Sequence, residues 1–396
     1  MNFRSLDGVD VKDKRVLVRV DFNVPMADGQ VTDDTRLKAA LPTIRRLRAG
    51  GAKTILLSHF DRPKGKRVPA MSLKPLVGPL STLLGAPVAF AEDCIGEAAK
   101  AAVDAMLSGD VLLLQNLRFH AGEEADDPVF ARELAANGDL YVDDAFSAAH
   151  RAHASTEALA HLLPAYAGEA MARELEALHA ALGSPQRPVL GIVGGSKVST
   201  KLDLLHNLIL KLDQLAIGGG MANTFLFAQD WPVGASYCEK ELADTARGIM
   251  AFAEKRGCEL LLPIDIVVSE KPWVGAPAWT RHLGELDEDE RILDAGPATV
   301  ERLCKAMDEA KTLVWNGPLG VFEIPPFDKG TLAAARHAAA LAKSGRLTAV
   351  AGGGDTVAAL NAAGVACDFT FVSTAGGAFL EWMEGKTLPG VEALQA

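Results

Sequence analysis

The chain has 396 residues, a net charge of −11 and 49% apolar residues; that is more length than one hydrophobic core usually serves, so two domains are expected. The acidic balance argues against a general nucleic-acid binder, no apolar run approaches the roughly 20 residues that span a bilayer, and the amino terminus lacks the apolar stretch of a secretory signal. Five cysteines, an odd number without C-x-x-C spacing, point to a reducing cytoplasmic setting.

In chain order, β-branched apolar runs predict strands at Arg15–Val20, Lys53–Ser58, Pro87–Phe90, Val111–Gln115 and Asp139–Val142. Amphipathic stretches between them predict helices at Thr35–Ala49, Leu73–Leu84, Ile95–Leu107 and Pro128–Ala136. The run Ala170–Leu182, rich in Ala, Leu and Glu, reads as a single helix stopped by Gly183-Ser184-Pro185. Strands then resume at Val189–Val193, Gln214–Ile217, Glu259–Leu262, Thr312–Trp315, Thr348–Ala351 and Phe369–Val372. Such alternation predicts an α/β protein with mostly parallel sheets and helices on both faces. The domain boundary is placed near residues 170–187, with the helix there as connector.

Charge is unevenly spread. Residues 1–74 hold 16 Lys and Arg against 8 Asp and Glu. This is either a solvated basic face or a pocket for a small anion. Placement favours the pocket. Asp21, Phe22 and Asn23 follow the first strand; Arg36 opens the next helix; His59 and Arg62 follow the second strand; Arg118 and Arg151 follow later ones. Ligands of open α/β sheets bind outside the carboxyl ends of the strands, and the arginine fork suits phosphate. His150 and His153 have no third ligand at suitable spacing, so no metal site is read there.

The second half carries five glycine-rich loops after strands: Gly194-Gly195-Ser196-Lys197, Gly218-Gly219-Gly220, Gly317-Pro318-Leu319-Gly320, Gly352-Gly353-Gly354-Asp355-Thr356 and Ala375-Gly376-Gly377. Glycine lets backbone N–H groups approach phosphate closely, and each loop is expected to open toward a helix. The stretch 191–199 fails the P-loop pattern at Ser196, and no G-x-G-x-x-G fingerprint is present. Lys197 and Lys201, four apart, are expected to share one face of the following helix. Asp355 is a candidate ligand for a magnesium ion on nucleotide phosphates. No nucleophile–base pair stands out, and phosphoryl transfer needs none. A nicotinamide-dependent dehydrogenase would need the missing fingerprint, and a non-catalytic anion-binding module would need only one ligand edge.

The stretches Arg19 to Pro25, Asn116 to Phe119, Asp144 to Phe146 with Ala149 to Ser155, Gly194 to Lys201, Gly218 to Phe225, Gly317 to Glu323 and Gly352 to Thr356 follow one another in the order of a known family. From end to end the chain resembles the phosphoglycerate kinases. The resemblance implies two doubly wound domains joined by a helical hinge: residues 1–169 with about 380–396 for phosphoglycerate, 170–186 as connector, 187–379 for nucleotide. It implies reversible, Mg²⁺-dependent, in-line transfer between 1,3-bisphosphoglycerate plus ADP and 3-phosphoglycerate plus ATP, across a closing cleft, by a monomer. Asp21, Phe22, Asn23, Arg36, the loop His59-Phe60-Asp61-Arg62, Arg118 and Arg151 would hold phosphoglycerate. Lys201, Gly218, Gly219, Glu323 and Gly352 to Thr356 would hold nucleotide, with Glu323 on the ribose and Asp355 near the metal. Arg36 and Lys197 would stabilise the transferring group. The chain departs from the family pattern at Phe60-Asp61 (commonly Leu-Gly), Gln115 (Glu), Ser147-Ala148 (Gly-Thr) and Ala375 (Gly). The added carboxylate of Asp61 is expected to weaken anion binding unless a basic neighbour pairs with it.

Overall fold

The computed structural model describes residues 3–395. The chain divides into two compact units, Met1–Glu176 with Thr387–Ala396, and Ala177–Lys386.

In the first unit the chain forms β1 (Arg15–Arg19), a short hairpin of β2 (Met26–Ala27) and β3 (Gln30–Val31), then β4 (Lys53–Leu57), β5 (Val88–Phe90), β6 (Val111–Leu113), β7 (Leu140–Asp143) and β8 (Ala165–Ala167). Six of these make one parallel sheet in the order β5-β6-β4-β1-β7-β8. Strands buried on both faces read as continuous apolar runs, as Val16-Leu17-Val18 and Ile55-Leu56-Leu57 do. Helix Thr35–Ala49 turns Leu37, Ala40, Leu41, Ile44 and Leu47 toward the sheet, the i, i+3, i+4 spacing of a buried stripe. The expected helix over 73–84 begins as a 3₁₀ turn at Lys74–Leu76 and becomes α-helical only from Val77, past Pro75, whose ring cannot continue a helix behind it. The carboxyl-terminal segment returns at Thr387, where Arg4 N–H donates to Leu394 and Gly390 N–H to Ala149.

The connector is α-helical over Glu169–Leu178 and widens into a π-helical turn over His179–Gly183, which Ser184 N–H closes on the His179 carbonyl. The uniform helix expected over 170–182 therefore changes pitch at its end. Residue Gly183 fits there because a Cβ would press on the His179 ring.

The second unit contains β9 (Val189–Val193), β10 (Gln214–Ile217), β11 (Glu259–Leu261), β12 (Asp265–Ser269), β13 (Trp279–His282), β14 (Arg291–Ala295), β15 (Thr312–Asn316), β16 (Thr348–Gly352) and β17 (Phe371–Ser373). Its parallel sheet runs β11-β10-β9-β15-β16-β17. An antiparallel sheet, β13-β12-β14, was not foreseen from the sequence. Its strands are short and one edge is exposed at Trp279, so their apolar pattern is weak. The core centres on Trp315, Leu313, Leu190 and Ile192 of the sheet and on the alanine-rich face of helix Lys329–Lys343.

Candidate active site

In each sheet the strand order reverses beside the first strand of the unit: between β1 and β7, and between β9 and β15. A crevice opens at such a switch point, beyond the carboxyl ends of the strands.

In the first unit this crevice is built from side chains. Asp21 follows β1 and accepts from Ser147, which follows β7, at 2.5 Å, and from the backbone N–H of Asn23 at 3.0 Å. Arg36, in the first turn of its helix, pairs with Asp21 at 2.9 Å and donates to the Asn23 carbonyl at 2.9 Å. The Asn23 side chain accepts from Asp61 N–H at 3.0 Å, and the Asp61 carbonyl accepts from Arg118 at 2.9 Å. Asp21, Asn23, Arg36, Asp61 and Arg118 thus form one hydrogen-bonded set drawn from four segments. Arg62 and Arg151 are exposed and have no carboxylate partner among the described residues. Burial pulls Arg118 below its ordinary value, Glu124 pulls it back, and Arg19 and Arg151 repel it. A cluster with this surplus of positive charge is suited to an anion.

Two predicted residues are placed differently from the rest. The Phe22 ring is fully buried in the core, so only its main chain is available to a ligand; its N–H donates to Ser58 at 2.9 Å. His59 is buried, with Nδ1 3.0 Å from the guanidinium of Arg19. Asp61 has φ +54°, in the left-handed region that favours glycine. Its carboxylate caps the Arg62 N–H at 2.9 Å and pairs with no basic side chain among the described residues.

Beneath the crevice lie residues that sequence reasoning passed over. Arg19 donates to Ser155, and Ser155 is held by the buried Glu123. Asp144 accepts from Ala170 and Met171 N–H and so caps the connector helix. Asp143 and Asp144 are fully buried, and desolvation pushes each carboxyl up to about 7. Asp144 precedes Ala170 by 26 residues, so neither this cap nor the strand arginine is readable from local sequence.

In the second unit the crevice is built from backbone. A Cβ on Gly194 would lie 1.8 Å from the Pro318 carbonyl, so only glycine lets β9 and the loop after β15 meet. Gly194 N–H donates to the Asn316 carbonyl, Met221 N–H to Gly195, and Gly219 N–H to Leu319. Gly218 packs on Leu319 and caps helix Gly219–Ala228. Thr356 accepts from Gly317 N–H at 2.7 Å, and Gly352 is pressed by Phe379, so both are buried supports. Gly353, with φ +97°, caps helix Gly354–Ala363 beside the Asn316 amide. These loops surround a cavity of about 620 Å³ that Gly195, Gly219, Leu319, Glu323 and Asp355 line, a volume suited to a nucleotide-sized ligand. Glu323 and Asp355 are exposed and carry no ion pair among the described residues.

Two expectations are corrected here. Lys197 and Lys201 do not share a helix face, because the helix begins at Leu202. Glu239 holds Ser199 by both N–H and hydroxyl, which keeps the segment in turns. Lys197 is exposed, whereas Lys201 is largely buried with its ammonium on Asn316; burial lowers its pKa, and Glu384 and Asp355 oppose the shift. The loop after Gly317 does not open onto a helix either: turns intervene until Lys329.

For magnesium the cavity offers two free carboxylates, Glu323 and Asp355, and Asp355 is the one in the first turn of a helix, after the glycine-rich loop 352–354. The third acid on the cavity, Asp294, is buried, spends both oxygens on N–H groups of Ala295 and Gly330, and is pushed up to about 7 by desolvation. Magnesium on nucleotide phosphates commonly takes one or two protein carboxylates, so the residues fit. Among the described residues, no helix is long and apolar enough to cross a membrane.

A family profile described as phosphoglycerate kinase matches residues 6–386. The chain is 68% identical over 396 residues to the phosphoglycerate kinase of Caulobacter vibrioides strain NA1000 / CB15N and 62% over 395 residues to that of Brucella abortus biovar 1, with the full length of each covered. Among solved structures it is similar to phosphoglycerate kinase from Coxiella burnetii (TM-score 0.93, 41% identity) and from Pyrococcus horikoshii OT3 (TM-score 0.80, 30% identity), each match covering 99% of this chain and 98% of the other.

Proposed function

The chain belongs to the phosphoglycerate kinase family, and on that premise we propose how its own residues divide the reaction. The enzyme is a glycolytic phosphotransferase that moves a phosphoryl group reversibly between 1,3-bisphosphoglycerate and ADP, giving 3-phosphoglycerate and ATP. Asp21 and Asn23 bind hydroxyl and carboxyl oxygens of the phosphoglycerate; Arg62, Arg118 and Arg151 hold its non-transferring phosphate; His59 and the main chain of Phe22, Phe60 and Asp61 complete the pocket. The observation that carries this reading is the hydrogen-bonded set of Asp21, Asn23, Arg36, Asp61 and Arg118 at one sheet edge.

Gly218 and Gly219 border the base, Glu323 takes ribose hydroxyls, and the amides of Gly353 to Thr356 with Lys201 take the phosphates. Asp355 would hold the magnesium ion that accompanies the nucleotide, which would supply neutralisation of phosphate charge. Arg36 and Lys197 stabilise negative charge spread over the transferring group, since this chemistry is mostly positioning and electrostatics. Direct transfer requires both loaded units to come together and to keep water from the acyl phosphate. We place the enzyme in the cytoplasm as a monomer.

The test is a coupled assay of ATP formation from Mg-ADP and 1,3-bisphosphoglycerate. Arg36→Ala is expected to lower kcat by about 10²–10³-fold with an unchanged circular dichroism spectrum. A near-normal kcat in the folded variant overturns the role of Arg36.

A further inference from the structure

We propose that Arg19 locks His59 as the neutral imidazole with its proton on Nε2, so that His59 meets phosphoglycerate as a fixed hydrogen-bond donor and never as a cation. The substrate half of this inference rests on the pocket assignment above; the tautomer half does not.

The Arg19 guanidinium lies 3.0 Å from His59 Nδ1. A guanidinium has only donors, so Nδ1 must offer its lone pair. The one proton of the neutral ring is then on Nε2. A second proton would set an N–H against an N–H at that distance.

Arg19 is itself unable to turn away. It is fully buried in β1, and each of its nitrogens is engaged. Nε donates to Ser155 at 2.8 Å, NH1 to the Val20 carbonyl at 2.6 Å, and NH2 to His59. Ser155 passes the constraint to Glu123, donating from its hydroxyl at 2.6 Å and from its N–H at 3.0 Å. A buried cation and a buried carboxylate are thus joined through one serine, and the imidazole stands at the cationic end. The charged and titratable groups around His59 are Arg19 from β1, Arg118 from the loop after β6, Arg36 from its helix and His153 from the segment after β7. All of them oppose a second proton, as does burial. Glu123 is the nearby opposite charge, and Ser155 and Arg19 stand between it and the ring.

The consequence is functional. Arg36, Arg62, Arg118 and Arg151 already supply positive charge at this edge, so a further cation is not needed. A neutral N–H of fixed direction adds orientation, and its contribution stays constant across the pH range in which a free histidine, with a pKa of about 6.5, would titrate. Arg19 is therefore a positioning residue, acting through His59.

The experiment uses the full-length enzyme with ¹⁵N-labelled histidine and long-range ¹H–¹⁵N correlation. The chain has nine histidines, and His59 is assigned by difference from His59→Gln. The expected spectrum has an unprotonated Nδ1 and a protonated Nε2, unchanged from pH 8 to pH 5.5. A proton on Nδ1, or titration within that range, overturns the lock. Adding 3-phosphoglycerate without ADP is expected to move the Nε2 signal; no movement overturns the substrate contact and leaves the tautomer standing. Arg19→Lys cannot satisfy Ser155, Val20 and His59 together. It is expected to let His59 titrate, with a KM for 3-phosphoglycerate about tenfold higher and an unchanged KM for ATP. Ser155→Ala, which removes only the Nε anchor, gives the same signature more weakly and stands in if Arg19→Lys does not fold. If a folded Arg19→Lys or Ser155→Ala enzyme keeps His59 wholly in the Nε2–H form, with no population protonated on Nδ1 at any pH from 8 to 5.5, Arg19 is not the lock.

Discussion

The two proposed ligand edges are built of different materials. In the first unit the groups proposed to face the anion are side chains, and polar partners fix their aim: Arg36 on Asp21, Arg118 on the Asp61 carbonyl, and beneath them the buried Arg19 on Ser155 and Glu123. In the second unit the groups are mostly backbone amides, and close packing fixes them: Gly194 against Pro318, Gly218 against Leu319, Gly352 against Phe379. A side-chain site loses chemistry when one residue changes and keeps its fold. A backbone site loses its shape first, because an added methyl group has nowhere to go.

The sharpest way to break this contrast is Gly194→Ala. With a carbonyl oxygen 1.8 Å from the new Cβ, the second unit is expected to lose about 3 kcal/mol of stability. Calorimetric titration should show ADP affinity lost while 3-phosphoglycerate affinity stays at the wild-type value. Equal loss of both would erase the distinction.

Next in size is Glu239→Ala, one of the few side-chain clamps in the second unit. Freeing Ser199 loosens the segment that carries Lys197 and Lys201. The KM for ADP is expected to rise about tenfold, the value of a lost charge-assisted bond, with the KM for phosphoglycerate unchanged. An unchanged nucleotide KM would mean that the loop holds itself.

Both units share one pH signature. Asp143 and Asp144 in the first and Asp294 in the second are raised from 3.8 to about 7 by burial. Such a group binds its proton more tightly folded than unfolded. Its contribution is fully present below about pH 4 and is lost as pH rises through about 7, with a slope of at most about 1.4 kcal/mol per pH unit for each group. Urea unfolding between pH 4.5 and 8 should show this fall. Asp144→Asn keeps the acceptor for Ala170 and Met171 and should flatten it; an unaltered slope would remove Asp144 from the account.

The smallest expected effect belongs to Asp61→Gly. Relief of a left-handed backbone is worth about 1 kcal/mol, offset by loss of the cap on Arg62. Removing the carboxylate beside the arginines should tighten 3-phosphoglycerate a few-fold at low salt, and less so at high salt. An affinity indifferent to this change at every salt concentration would show that Asp61 leaves the anion field unaltered.

Some of this is legible in the amino-acid sequence alone. Helix Thr35–Ala49 and strands Val189–Val193 and Gln214–Ile217 fall at their expected bounds, because long amphipathic or fully apolar runs carry their period locally. Arg118 could be picked out because it lies just beyond a strand, and Arg36 because it opens the helix that follows the first strand's loop. Arg19 could not, since it stands inside β1 between Val18 and Val20 and reads as one more strand residue. Glu123 and Ser155 were equally silent, and Ser147 stood out only as a departure from the family pattern.

The sequence by itself determined the alternation of strands and helices, the basic and glycine-rich character of the two halves, and, through ordered motifs, the family and its reaction. Only the tertiary structure decided that Arg19 meets Ser155, 136 residues away, that Lys197 and Lys201 part company, and that Phe22 turns inward. The physical reason is the same in each case. Local pattern is written in the spacing of neighbouring side chains, whereas each of these outcomes is set by residues far along the chain that folding brings near: Ser155 for Arg19, Glu239 for the segment of Lys197 and Lys201, and the core of the first unit for Phe22.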